Sequence, residues 1–478
     1  MKNDMMTFME NRTVEGIAFS AVPSEYQGVA ARNVPSVTEL SGVDMVDVFS
    51  AIGRASGSFF LDSSMKHSRW GRYSFAGCHP LATLRSSGRF NVISSPAGTM
   101  AVEGDPFAVL QNMMDFFGFS SVQLPFPFIG GAVGYFGYDL GRWVERIPDR
   151  TVADLPFPDL YFGFYTSFFA ADHIRKKMYR VCWGKEDREM EKIERTDHCG
   201  PARSGGRLVD RSFSHQEYVD AVTRVKDYIA AGDIFQANLS QRFSYTFECS
   251  PMDLYLNLRR VNPAPFSCYM NPAPGMSVLS SSPERFVYLD KEAAHTCPIK
   301  GTRPRRVEKN KDRCIQQELL ASEKDNAELN MIVDLERNDL GRVCRYGSVR
   351  VPRKRELHTF ATVHHLISTV EGRLRRGIGN CGLVRAMFPG GSITGAPKIR
   401  AMEIIEELEP VRRSLYTGSI GYAGFNRVMD LNIAIRTLLT VGHKAYYQVG
   451  GGIVADSDPE AEYQETLDKG KALERTLL

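Results

Sequence analysis

Apolar and polar positions along the chain change period several times. Tyr218, Val222, Val225 and Ile229 recur at helical spacing. They follow Ser214-His-Gln-Glu217, a capping-box pattern that satisfies free N–H groups at a helix start, and Gly232 ends the segment. Ser322 and Asp325 repeat the pattern before AELNMIVDLERNDLG. Gly395-Ala-Pro397 places proline at a first helical position before KIRAMEIIEELEP, and Ser457-Asp-Pro459 does the same before EAEYQETLDKGKALERTLL. In the first half, short aromatic-rich runs such as Arg72–Phe75 and Leu160–Phe169 have strand character, with glycine clusters such as Gly130–Gly134 between them. No fixed-period repeat is present. Many short strands mixed with helices predict an α+β fold, with sheets and helices packed as layers.

One stretch breaks the pattern. Gly184–Arg207 is dense in charge, then rich in glycine, with almost no aliphatic residues. It cannot bury enough apolar surface to offset its ordering entropy, so an exposed linker or loop is expected there. The 478 residues allow two or three domains or one large composite, and 43% apolar with 24% charged residues excludes pervasive disorder. Fifty-nine basic against 56 acidic residues leave a formal charge of +3, which gives no nucleic-acid footprint and no polybasic membrane patch. Nine cysteines without a C-x-x-C spacing do not read as a disulfide framework or a zinc site. Free thiols in a reducing cytoplasm are expected. The opening residues hold no apolar stretch of signal-peptide length. The greasiest run, Leu160–Ala171, is too short to span a bilayer and is interrupted by glycine and polar residues. A soluble cytoplasmic protein is expected, with neither nucleic acid nor membrane as a partner.

Several residues have chemical potential, each with a plainer reading beside it. Glu462 and Glu465 share one face of the terminal helix, as ligands for a hard cation such as Mg²⁺ or as first-turn acids that complement the helix dipole. Glu328, one turn after Asp325, offers a third oxygen donor from a distant segment, or the same dipole role. Gly390–Lys398 is a glycine-rich turn entering a helix, but Ala396 stands where a P-loop needs lysine, so the nucleotide-phosphate reading fails. Its backbone N–H groups still suit a carboxylate, and Gly450, Gly451 and Gly452 would let backbone approach a ligand closely; the plainer reading of each, equally open, is a tight turn. Lys300 in CPIKGTRP is either surface decoration or a desolvated nucleophile, and Glu284 in SPERF is a candidate general acid. Their separation of sixteen positions (300 − 284) leaves room for two short strands joined by a turn. His364 and His365 are adjacent, so a strand would point them to opposite faces, one into the core and one toward a site.

Together these residues resemble the chorismate-binding enzymes, and more narrowly the component I chains of aminodeoxychorismate synthases, close relatives of component I of anthranilate synthases. The resemblance runs from about residue 213 onward through GDIFQANLSQRF, SPERF, PIKGTRPR, MIVDLERNDLGRVC, VHHL, GGSITGAPKIRAMEII, YTGSIGY, DLNIAIRT and GGGIVADSDPEAEYQET. It is looser before that, in FFLDSS, RWGRYSF and GGAVGYFGYD. It implies two stacked β-sheets wrapped by helices, with an N-terminal extension at 1–25, an N-terminal region at 26–183 joining the same architecture, a linker at 184–212 and a chorismate-binding region at 213–478. It implies Mg²⁺ on Glu328, Glu462 and Glu465, holding the ring carboxylate of chorismate. Ser392, Gly395, Ala396, Tyr416, Arg436, Gly450, Gly451, Gly452 and Lys469 would bind the substrate, and His365 matches the family's active-site histidine. Lys300 points to the aminodeoxychorismate branch, where the motif reads P-I-K-G rather than P-I-A-G; it would add at ring carbon 2 while Glu284 protonates the departing 4-hydroxyl. Anthranilate synthesis is the alternative, and isochorismate or salicylate synthesis a more distant one. With no recognisable glutaminase in the chain, ammonia would come from solution or from a separate glutamine amidotransferase subunit. The family's tryptophan pocket would fall at Leu61, Ser63, Pro265 and Phe266, although LDS and PAPF depart from the L-E-S and P-S-P-Y of feedback-regulated relatives.

Overall fold

The computed structural model describes residues 19–65, 70–184, 204–360 and 363–478. The first part of the N-terminal extension, 1–18, and most of the charged stretch, 185–203, lie outside the described residues. Beyond that stretch, Arg207–Arg211 is not linker: it forms an exposed strand against Gln236–Thr246. Its Leu208 and Val209 are flanked by charged residues, which suits a sheet edge.

Two antiparallel sheets organise the described residues, each of 12 strands. The first runs from Ser36–Leu40 through Phe59–Asp62, Phe266–Ala273 and Met276–Ser282 to Lys444–Ile453 and Gln236–Thr246. The second runs from Ile299–Pro304 through Val363–Arg373, Arg285–Asp290 and Ser419–Gly424 to Gly131–Phe136 and Leu160–Tyr165. Strand period alone assigns the faces. In the first sheet Phe59 points into the space between the sheets, where it joins Val133 and Tyr135 of the second, while Phe60 points outward. In the second sheet Val133 and Tyr135 point inward, while Ala132 and Phe136 point outward. Helices cover both outer faces. Met45–Ile52, Pro251–Val261 and Pro459–Leu477 pack on the first, and Pro106–Phe117, Asn380–Met387 and Glu323–Gly341 on the second. The expected sandwich wrapped by helices is what forms, and strands from both halves of the chain interleave in both sheets. Strands buried on two faces read as continuous apolar runs, which is why Leu160–Tyr165 lacks alternation.

The helix starts follow their caps. Ser214 and Glu217 form the reciprocal box at His215–Ala230, and Asp458 caps Pro459–Leu477 with proline at its first position. Two differ from expectation. Ser322 accepts the Asp325 N–H, but Arg303 takes the Asp325 carboxylate, so only half of that box exists. Pro397 occupies the N-cap of Lys398–Leu408 rather than its first position. Among the described residues no disulfide forms, and no helix is long and apolar enough to cross a membrane.

Candidate active site

Lys300 lies on Ile299–Pro304, the end strand of the second sheet, close to Gly452 of the first. Glu284 immediately precedes the strand Arg285–Asp290, which turns into Ala293–Thr296 before the chain reaches Ile299–Pro304, the hairpin that the sixteen-residue spacing anticipated. Lys300 Nζ stands 3.9 Å from Glu328 Oε2, with both side chains mostly buried. Gly452 also lies close: a Cβ there would stand 3.5 Å from Lys300 Nζ.

Glu284 is 7% exposed. Burial pushes its carboxyl up to about 7, although a hydrogen bond from Ser392, the Lys300 charge and the Ile299 N–H pull the other way. It is therefore protonated in part near neutrality, which suits a general acid. His365 pairs in register with Thr302 of the Lys300 strand, and its Nδ1 lies 2.9 Å from Thr302 Oγ1. Burial, aided by the Arg436 charge, brings its imidazole down to about 4, so the ring is neutral. His364 points the opposite way, as the strand period requires, and meets Asp312 and Thr359 in the core. Arg436 is partly buried, desolvation lowers its guanidinium, and Tyr416 and Glu465 act on it electrostatically.

The glycine run Gly450–Gly452 lies in the strand paired with Gln236–Thr246. Its bare backbone makes a cradle: a Cβ on Gly451 would meet Glu462 Oε2 at 2.9 Å and Glu465 Oε1 at 3.7 Å. Glu462 accepts the Ser457 hydroxyl and is raised by burial. Burial also opposes the charge on Glu465, but the Lys469 ammonium at 2.6 Å prevails and holds that carboxyl down. Lys469 in turn donates to the Gly450 carbonyl, with burial lowering its ammonium. Glu328, Glu462 and Glu465 thus border one cleft with oxygen donors, the class that Mg²⁺ requires. Among the described residues they do not stand as a closed cage, because lysines and Ser457 engage them individually. The donor chemistry and the cradle at Gly451 fit a hard cation.

Gly395 and Ala396 form a short antiparallel bridge to Gln236 and Ala237, and Ser392 sits in the turn Gly391–Ile393 just before it. Arg413 ties these pieces together by donating to Glu409, the Ile393 carbonyl and the Asn238 carbonyl. Glu409 also accepts the N–H and hydroxyl of Ser240.

Gln236 escaped the sequence reading. Its amide is 1% exposed, both polar ends lack a partner, and a Cβ on Gly452 would meet its Nε2 at 2.4 Å. An unpartnered buried amide beside Lys300 is placed for a ligand rather than for folding. Its only sequence signal was a glutamine at the start of a buried strand.

Away from this cluster, a cavity of about 580 Å³ opens between the sheets. Leu61, Ser63, Pro265 and Phe266 all line it, together with Trp70 and Arg285. Arg285 pairs with Asp430 and lies 5.1 Å from the centre of the Trp70 ring and 5.0 Å from that of Phe266. Asp62, the residue that departs from L-E-S, turns its carboxylate to Arg259 and Tyr255.

Residues 59–475 match the chorismate binding enzyme family. Aminodeoxychorismate synthase component 1 of Salmonella typhimurium is 40% identical over 425 residues, covering 88% of this chain and 93% of that protein. Anthranilate synthase component 1 of Thermus thermophilus is also 40% identical, over 426 residues, covering 87% of this chain and 91% of that protein. The crystal structure of anthranilate synthase component I from Streptococcus pneumoniae superposes with a TM-score of 0.73 at 31% identity, covering 86% of this chain and 94% of that one. With the match running through nearly the whole described structure, this chain belongs to the chorismate-binding enzyme family.

Proposed function

We propose that this chain is the aminating component of an aminodeoxychorismate synthase, converting chorismate and ammonia to 4-amino-4-deoxychorismate and water. The observation that carries this reading is Lys300, whose amine stands 3.9 Å from Glu328 in the cleft and whose charge acts on Glu284, a carboxyl that burial pushes up to about 7. The Thermus relative's equal identity favours a second reading, anthranilate formation, so overall similarity does not choose the branch and this residue does.

In the proposed sequence the unprotonated Lys300 amine adds at ring carbon 2. The ring double bonds shift, and the 4-hydroxyl leaves as water with the proton of Glu284. The secondary ammonium so formed returns a proton to Glu284. Ammonia then attacks carbon 4, the double bonds shift back, and the lysine amine leaves carbon 2 while the new amine supplies its proton. Ser392 holds Glu284 in place. Neutral His365 offers a hydrogen bond without competing for the acid's proton. Arg436, Tyr416, Lys469, the Gly395–Ala396 bridge and the Gly450–Gly452 backbone form the proposed binding surface for the two carboxylates of chorismate. Mg²⁺ bound by Glu328, Glu462 and Glu465 would neutralise the ring carboxylate. A separate glutaminase subunit would supply ammonia, and biosynthesis in the cytoplasm suits such a pair.

The test is product identity with chorismate, Mg²⁺ and an ammonium salt at mildly alkaline pH. Aminodeoxychorismate is expected, and anthranilate would overturn the reading. Lys300→Ala should lose most of that product, and wild-type protein quenched with chorismate but no ammonia should carry a covalent adduct on Lys300 by intact mass. Product at the wild-type rate from Lys300→Ala would remove lysine from the mechanism. Undiminished turnover after exhaustive chelation would remove the metal.

A further inference from the structure

The turn that carries Tyr416 is strained. Between the helix Lys398–Leu408 and the strand Ser419–Gly424, Ser414 and Thr417 hold left-handed backbone, with φ of 53° and 61°. That region suits glycine, and a β-branched residue stays in it only where its surroundings fix it there. Arg413, at the start of the turn, supplies the fixing contacts. Its carbonyl accepts the Tyr416 N–H at 2.9 Å, and its Nη1 donates to Thr417 Oγ1 at 3.4 Å. The Thr417 hydroxyl donates in turn to the Tyr416 carbonyl at 2.6 Å. The guanidinium carbon lies 5.7 Å from the centre of the Tyr416 ring.

The same guanidinium reaches two further pieces of the proposed substrate surface. Nη1 donates to the Ile393 carbonyl at 3.0 Å, between Ser392 and the Gly395–Ala396 bridge. Nη2 donates to the Asn238 carbonyl at 2.6 Å, and Asn238 stands opposite Gly452 in the paired strands. Glu409 completes the set by accepting from Nε at 2.9 Å and from Nη2 at 2.7 Å, so all five N–H groups meet an acceptor. Glu409 is itself held by the N–H and hydroxyl of Ser240. Both side chains of the pair are nearly sealed from solvent, at 1% and 2% exposed. Desolvation offsets most of the attraction in such a pair, and well-packed apolar residues would often be as stable. Apolar residues have no planar fork with which to hold separate segments at fixed distances.

We propose that Arg413 is a positioning residue for chorismate: clamped by Glu409, it sets the spacing between Tyr416, the Ser392–Ala396 turn and the Gly450–Gly452 backbone that the two carboxylates of the substrate require. This role rests on the binding surface given above. Arg413 acts through those residues on ground state and transition state alike. Its loss therefore raises Kd and KM for chorismate and leaves kcat, which Lys300 and Glu284 set, nearly unchanged.

Arg413→Lys tests the fork. Lysine keeps a charge for Glu409, but its single nitrogen cannot serve the Ile393 carbonyl, the Asn238 carbonyl and the Thr417 hydroxyl together. Calorimetric titration with chorismate, without ammonia and well below the melting temperature, should give a Kd raised at least about tenfold. In turnover, KM should rise in step, with kcat within about threefold of wild type. A wild-type Kd in folded Arg413→Lys would overturn the role, even with a lowered melting temperature, because that is what a purely stabilising pair would give. Should Arg413→Lys not fold, Thr417→Val decides, since it removes only the hydroxyl between Arg413 and the turn and leaves the ion pair intact. Its Kd should rise at least about threefold, and an unchanged value would overturn the role. Calorimetry reads binding whatever product the enzyme makes, so an anthranilate product would leave the result standing. Wild-type protein that binds no chorismate would overturn both.

Discussion

At the scale of single residues, the site is assembled from groups whose burial works against their own charge. Glu284 shows what this costs. Its folded carboxyl releases its proton at about 7, whereas the unfolded one does so near the ordinary 4.5. Between those values the folded state binds more protons, so stability falls as pH rises through the window. Glu284→Gln removes that loss. The variant should therefore gain on wild type between pH 5 and pH 8, by on the order of 3 kcal/mol at most. Thermal melts of both proteins at the two pH values check this, and a stability difference that stays constant with pH would contradict the buried-acid assignment. Glu284, Lys300, Glu328, Glu462 and Glu465 could be singled out as candidates from the sequence because short motifs carry them. Their burial could not be read there. The Glu465–Lys469 pair follows ordinary helix spacing, four residues apart, but no spacing rule foretells that Glu336 and Gln236 point inward, since that depends on contacts between segments far apart in the chain.

At the scale of elements, glycine positions separate turns from close approaches. Gly232 and Gly395 both have positive φ, at +83° and +151°. Nothing lies within 4 Å of a Cβ on Gly232, so Gly232→Ala carries backbone strain alone, about 1 kcal/mol. A Cβ on Gly395 would stand 2.1 Å from the Gln236 carbonyl oxygen and 2.7 Å from Ala401 Cβ, and would break the bridge that places Ala396 and Gln236. Gly395→Ala should cost several kcal/mol, roughly 3 or more, and abolish turnover. Urea unfolding of the two variants gives the comparison, and equal shifts would show that the bridge does not constrain the site. Helix starts were legible for a related reason: a cap is local chemistry, written within four residues. Where the cap had a distant competitor, as Arg303 is for Asp325, the local pattern predicted a bond that does not form. The exposed strand Arg207–Arg211 was hidden in the same way, because its charges describe a sheet edge only once Gln236–Thr246 lies beside it.

At the scale of the whole molecule, the two halves of the chain cannot be separated without opening both sheets. Phe59–Asp62 pairs with Phe266–Ala273, and Gly131–Phe136 pairs with Ser419–Gly424, so the N-terminal region supplies interior strands to each layer. The inter-sheet core joins Phe59, Phe75, Val133 and Tyr135 from the first half to Cys268, Val278, Ile420 and Tyr422 from the second. A charged stretch in the sequence reads as a boundary, but a change of composition marks only where the chain leaves the core, not where a core ends. The motifs that carry the candidate site residues all lie beyond residue 213, yet the sheets that hold them include strands from before residue 184. Residues 213–478 produced alone should therefore expose unpaired strand edges and half of an apolar core, and should aggregate or melt without a cooperative transition. Supplying residues 26–183 as a second chain in the same cells should restore a soluble complex with a single transition and chorismate turnover. Calorimetry of the purified material reads the outcome. A cooperative, active 213–478 fragment would mean that the C-terminal strands close a core of their own, and that the first half is an accessory rather than part of the fold.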